Sequence, residues 1–239
     1  MKTWITGSGY RIIQVLSGRS NVFLLTDGEK RILVDTSPEF MWRLLQKRLK
    51  KLNVSTIDYL ILTHVHFDHA ANANRIREKY KARVVIHKNE AHCLVSGNNA
   101  VTGGTNVFTR ILMKILAKKF ISLAGFEPCS YDLLVDDSCD LKDLGFKGSI
   151  IHTPGHSSGS LSVIIDDEVA LVGDTLFGIF RWSVFPPFAE DTDLLLKSWG
   201  KLLQTNCSVF LPSHGTADSR SLVQQDYNER LRKKDLQTV

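Results

Sequence analysis

Apolar residues along this chain fall into two rhythms, and their alternation predicts a mixed α/β protein. Residues 10–16, 21–26 and 31–35 are rich in Ile, Val, Leu and Phe and are broken by Gly18 and by Asp27-Gly28, so they read as short strands with a hairpin turn. Pro38 suits the first turn of a helix with Ser37 as its cap, and Phe40, Met41, Leu44, Leu45, Leu49 and Leu52 continue at helical spacing. The near-continuous apolar run at 57–62 is that of a strand covered on both faces. A helix through 70–80 and a strand at 83–87 complete the alternation.

From residue 88 to about 149 the rhythm breaks. Gly97-Asn98-Asn99 and Gly103-Gly104 read as loop. Between 107 and 123, Phe108, Ile111, Leu112, Ile115, Leu116, Phe120 and Leu123 form one stripe, with Arg110, Lys114 and Lys118 on another side. This is an amphipathic helical insertion, readable as a lid, a contact of a homodimer, a membrane-surface contact or an extra packed helix. Strands resume at 148–152, 160–166 and 168–172, the last two turning at Asp166-Asp167. A helix at 193–204, a short strand at 209–211 and a closing helix at 219–234 follow. Each half runs strands first and helices later, which suits two similar sheets packed together in one domain over 1–239.

Composition sets limits on this picture. With 239 residues, 43% of them hydrophobic and 23% charged, the chain can bury a sizeable core. The net charge of +5 is mildly basic, and runs such as Lys47-Arg48-Leu49-Lys50-Lys51 read as solvated helix faces or as a weak attraction for anionic substrates, lipid headgroups or RNA, which charge alone does not separate. With neither a long basic arm nor a second domain, nucleic acid is not the expected partner. Cys93, Cys129, Cys139 and Cys207 show no C-x-x-C spacing, which favours reduced thiols over a disulfide framework or a cysteine-built zinc site. No apolar run approaches the roughly 18 residues of a membrane span, and the first residues carry no apolar run of signal-peptide length. A cytoplasmic protein is expected.

The candidate chemistry lies at the ends of the apolar runs. In His64-x-His66-x-Asp68-His69, four metal donors fall in six residues directly after a strand. Side chains two apart in an extended segment point the same way, so His64 and His66 can grip one ion, while Asp68 and His69 lie past the bend and can turn toward another. His156 in Gly155-His156-Ser157, Asp174 in Gly173-Asp174-Thr175 and His214 in Ser213-His214-Gly215 each follow β-like sequence beside glycine. Imidazole and carboxylate suit zinc, iron or manganese. Ser157 reads as a loop-holding hydroxyl, Asp35 as either a turn cap or a partner that orients a ligand histidine, and His87, His92 and His152 as surface or core histidines.

That ordered set resembles the metallo-β-lactamase superfamily through nearly the whole chain, with Asp35-Thr36 similar to its early turn. The resemblance implies an αββα sandwich, here with a helical insertion near 88–149, and metals held between sheet edges. It further implies that His64, His66 and His156 hold a first cation and Asp68, His69 and His214 a second. Asp174 would bridge them, with Asp68 and Asp174 as the catalytic carboxylates. Two divalent ions, zinc foremost, would ionise a bridging water to a hydroxide that attacks the substrate.

The expected substrate is a small molecule bearing an ester, lactone or thioester. An apolar or aromatic group on it would suit Phe177, Phe180, Trp182, Phe185 and Phe188, which equally suit core packing. Hydroxyacylglutathione hydrolases resemble the chain in G-D-T-L-F, yet only 25 residues follow His214, short of their usual helical domain. N-acyl-homoserine lactonases commonly carry a Tyr where Thr175, Leu176 and Phe177 stand, and true β-lactam hydrolases usually have Cys in place of Asp174. The alternatives are a non-haem iron oxidoreductase of persulfide dioxygenase type and a phosphodiesterase or nuclease of the same fold.

Overall fold

A computed structural model describes residues 1–99, 103–105, 109 and 125–236. Among these residues the strands form two sheets. The first runs in chain order: β1 (Thr3–Ile5), β2 (Arg11–Leu16), β3 (Val22–Thr26), β4 (Arg31–Val34), β5 (Tyr59–Ile61), β6 (Arg83–His87) and β7 (Leu133–Val135). Pairing is antiparallel from β1 to β4 and parallel from β4 to β7. The second sheet contains β8 (Ser138–Asp140), β9 (Gly148–His152), β10 (Leu161–Ile165), β11 (Val169–Gly173), β12 (Val209–Pro212) and β13 (Asp218–Ser219) in the same spatial succession. Only β11 and β12 pair in parallel there.

Alternation along single strands explains the layering. In β4, Ile32 and Val34 join Ile61 and Val85 and meet Leu161, Val163, Ile165 and Leu171 of the second sheet, filling the space between the sheets. Leu33 points the other way, into a cluster with Leu45 and Leu49 of α1 (Trp42–Lys51) and Ile76 and Tyr80 of α3 (Ala73–Tyr80). On the far side, Ile164 and Val172 pack with Leu195, Trp199 and Leu202 of α5 (Thr192–Gln204) and Val223 of α6 (Arg220–Asp235). The layers are α, β, β, α. Strands covered on both faces read as unbroken apolar runs, which is why 57–62 was so continuous.

Several expectations from sequence need correcting. Ser37 does not cap a helix: it sits at φ 69°, and Pro38 precedes a 3-10 turn, Glu39–Met41, with no side-chain cap. Leu45 and Leu49 of the following helix are buried, whereas Phe40, inside the turn, is 70% exposed. The interval 88–149 is not one insertion, because β7 lies inside it and extends the first sheet, and β8 extends the second. Strands of three residues carry too few positions to show a period. Within it, α4 (Ala91–Ser96) follows a 3-10 turn at Lys88–Glu90. Of the helix read at 107–123, all but residue 109 lies outside the described residues. Short β1 and β13 were not anticipated, whereas the Asp166-Asp167 turn is present with both residues at positive φ. No helix among the described residues is long and apolar enough to cross a membrane.

Edge strand β13 carries a buried carboxyl. Asp218 pairs across from Phe210, is almost fully buried, and its Oδ2 has no hydrogen-bond partner among the described residues. Burial pushes the group from 3.8 up to about 7. The folded chain therefore holds this proton more tightly than the unfolded chain, and stability from it is full below about pH 4 and lost as pH rises through 7. Asp218→Asn is expected to stabilise by about 1–2 kcal/mol at pH 8 and far less at pH 5. Thermal melts at the two pH values measure it, and a variant no more stable than the parent at pH 8 contradicts it.

Candidate metal centre

β5 ends at Ile61, and the chain leaves its C-terminal edge still extended, with His66 at φ −103°, ψ 155°. His64 and His66 thus project to one side. A single turn, α2 (Phe67–Ala70), then swings Asp68 and His69 inward. His156 follows β9 in a turn that starts at Gly155, whose φ is +131° and where a Cβ would lie 2.3 Å from Leu195 N; only glycine fits. Asp174 follows β11 directly and His214 follows β12. One sheet supplies four of these side chains and the other supplies three.

All seven meet in one place. His64 Nε2 lies 2.8 Å from His66 Nδ1, and His156 Nε2 lies 3.1 Å from the same nitrogen. Imidazole nitrogens around one tetrahedral zinc would stand about 3.3 Å apart. A second group joins His214 Nε2 to Asp68 Oδ2 at 3.2 Å and His69 Nε2 to Asp68 Oδ1 at 3.6 Å. Asp174 spans the two: its carboxylate is 3.6 Å from His156 Nε2, 3.6 Å from His69 Nε2 and 3.4 Å from His214 Nε2.

Electrostatics differ between the two groups. Burial, reinforced by neighbouring imidazoles, holds His64 well below its ordinary value and His66 down to about 3. Burial acts the same way on His69 and His214, but the carboxylates of Asp68 and Asp174 outweigh it, and these rise to about 9 and about 11. Asp174 and Asp68 are kept ionised against burial by the histidines around them. One side therefore offers neutral nitrogen lone pairs, and on the other two carboxylates hold protons on the two imidazoles beside them.

The donor set fits divalent cations. His69 Nε2 and Asp174 Oδ1 are buried, have no hydrogen-bond partner among the described residues and face each other at 3.6 Å, beyond hydrogen-bond range. Buried polar atoms are rarely left so, and here the orphaned atoms are an imidazole nitrogen and a carboxylate oxygen, two donor types that a divalent cation takes. His64, His66 and His156 form one set of converging donors, Asp68, His69 and His214 another, and His64, His69 and Asp174 a third that links the two.

Surrounding contacts fix the ligand rings. His69 donates from Nδ1 to Asp35 Oδ2 at 2.9 Å, and His156 Nδ1 donates to the Phe188 carbonyl at 2.9 Å. Asp35 also accepts from the Thr63 amide and hydroxyl and from Ser213 Oγ, so it is more than a turn cap. Ser157 bonds locally with Ser160, as the sequence suggested. His87 and His152 stack on each other at 3.9 Å and join neither donor set. The aromatic segment divides. Phe177 lies 4.8 Å from His214, Phe185 packs on Trp199 in the core, and Phe180 and Trp182 are exposed. Thr63, Ser213 and Glu90, which contact the ligand loops, carried no signal in sequence, since their partners come from remote segments.

Comparison with known proteins adds four findings. A family model described as the metallo-beta-lactamase superfamily matches residues 17–214. A probable metallo-hydrolase of Methanocaldococcus jannaschii is 30% identical over 167 residues, 69% of this chain and 72% of that protein, and a human acyl-coenzyme A thioesterase is 28% identical over 174 residues, 66% of this chain and 59% of the relative. Among solved structures, an archaeal metallo-beta-lactamase superfamily protein from Sulfolobus tokodaii superposes with a TM-score of 0.64 at 20% identity, covering 93% of this chain and 86% of that one. At that identity the likeness speaks for the fold alone.

Proposed function

The chain belongs to the metallo-beta-lactamase superfamily, and from that premise we propose that it is a binuclear, zinc-dependent hydrolase of acyl thioesters or closely related small esters and lactones. The observation that carries the reading is Asp174, whose carboxylate lies within 3.6 Å of ligand nitrogens from both donor groups. The human relative named as a thioesterase favours sulfur over oxygen as the leaving atom.

In this reading His64, His66 and His156 would hold one cation and Asp68, His69 and His214 the other, with Asp174 placed between the two donor groups. Bound there, the cations supply Lewis acidity, lowering the pKa of a water and stabilising negative charge on the acyl oxygen. The protein supplies the rest. Asp174, ionised and buried, keeps the two donor groups in register. Asp68 is partly open to solvent, with Oδ2 beside His214, and is placed to take a proton from the attacking water and return it to the leaving group. Phe177 against His214, with exposed Phe180 and Trp182 beyond it, offers an apolar wall for the acyl chain.

Metal analysis and an activity screen test this together. About two zinc ions per chain, cleavage of a thioester, ester or lactone, loss on chelation and recovery on adding zinc are the expected results. One iron per chain, with oxygen uptake on a persulfide and no hydrolysis, would overturn the proposal.

A further inference from the structure

We propose that Glu90 is a positioning residue for the metal centre: its carboxylate clamps the His64–His66 segment to the loop that carries His156. The proposal rests on the metal-dependent reading above. Glu90 ends the 3-10 turn Lys88–Glu90 and is only 2% exposed. Its Oε2 accepts the amide of Val65, the residue between His64 and His66, at 2.8 Å, and its Oε1 accepts the amide of Gly159 at 3.3 Å. One buried carboxylate thus satisfies two amides from segments that belong to different sheets. Charged acceptors make the stronger hydrogen bonds, and a buried carboxylate persists only when so engaged.

The surroundings hold this clamp in place. Asn89 donates its side-chain amide to the Ser158 carbonyl at 3.1 Å, so the turn grips the His156 loop at two successive residues. His87 accepts the Asn89 amide at Nδ1 and donates from Nε2 to the Asp136 carbonyl, which fixes the start of the turn. Gly159 is fitted against the carboxylate's own stem: a Cβ there would lie 2.2 Å from Glu90 Cγ. A separate backbone bond, Leu161 N to Thr63 O at 2.8 Å, ties the same loops without Glu90. The sandwich therefore does not depend on Glu90 to close, and its specific contribution is the spacing of His64, His66 and His156.

Substitution at both ends of the contact tests this. Glu90→Gln replaces one acceptor oxygen by a donor that opposes an amide. It is expected to weaken one of the two zinc ions by about 10–100-fold, read by competition with a chromophoric chelator, and to leave the other within about threefold. Gly159→Ala, which displaces Glu90, is expected to weaken the same ion in the parent and to have little further effect in a Glu90→Ala background. Unchanged zinc constants in Glu90→Gln, or an equal effect of Gly159→Ala in both backgrounds, would overturn the inference. So would lowered urea stability of the metal-free Glu90→Gln chain with both zinc constants intact, since that is a purely structural role. A parent chain that takes up no divalent cation would instead bring down the metal-dependent reading, and this inference with it.

Discussion

Asp174→Ala is expected to lower turnover by about 10³-fold or more, near 4 kcal/mol in the barrier, while the chain stays folded. Its carboxylate lies within 3.6 Å of histidine nitrogens from both donor sets, so its loss is felt in each. Removing it also takes away the leading attraction that holds His214 protonated in the cation-free chain. The loss should therefore appear in metal content as well as in rate, with fewer than two zinc ions retained after dialysis. Asp174→Asn keeps the shape and one acceptor oxygen but not the charge, and should fall between the parent and the alanine variant. A cooperative melt of the metal-free alanine variant separates lost chemistry from lost fold. Two tightly held zinc ions with parental turnover in Asp174→Ala would defeat the proposed mechanism.

The second large effect is expected at Asp35, and it falls on stability first. This carboxylate is 1% exposed and accepts from the Thr63 amide, the Thr63 hydroxyl, Ser213 Oγ and His69 Nδ1. Alanine would orphan those donors inside the protein, at a cost of about 3–5 kcal/mol. The backbone adds to this, because Asp35 sits at φ 61°, a left-handed conformation that aspartate and asparagine tolerate better than alanine. Asp35→Asn separates the two contributions: it keeps the backbone preference and can still accept from Thr63, but turns an amide toward His69 or Ser213. Urea unfolding of the metal-free variants should rank parent, asparagine, alanine, with turnover falling about 10–100-fold as His69 loses its orienting partner. A change below about 1 kcal/mol in Asp35→Ala would show that water or a neighbour takes over the contacts.

How much could be read from sequence depended on the range of each interaction. The seven candidate ligands stood out because each follows an apolar strand, and because two-residue spacing in an extended stretch is a local geometric fact. The two-sheet layering was legible for the same reason: runs such as 57–62 are apolar on both faces. Glu90 was not legible, because its value lies in Val65 and Gly159, 25 and 69 residues away in the chain. Asp35 was legible only in part, since Ser213 reaches it across 178 residues. The helical stripe is right for Met41, Leu45, Leu49 and Leu52, which pack into the core, and fails at Phe40, which lies in the 3-10 turn ahead of α1 and is exposed. Strand β8, with its Ser-Cys-Asp sequence, earns its place by pairing with β9 and not by its own hydrophobicity.

His64, His66, Asp68 and His69 leave one sheet and His156, Asp174 and His214 leave the other, so a cation bound among them is a rivet through the seam of the sandwich. Pulling the rivet frees that rim to breathe while the opposite rim stays packed. A protease offered the metal-stripped chain should then nick it first around residues 155–160 or 213–216, and zinc should slow those cuts more than any others.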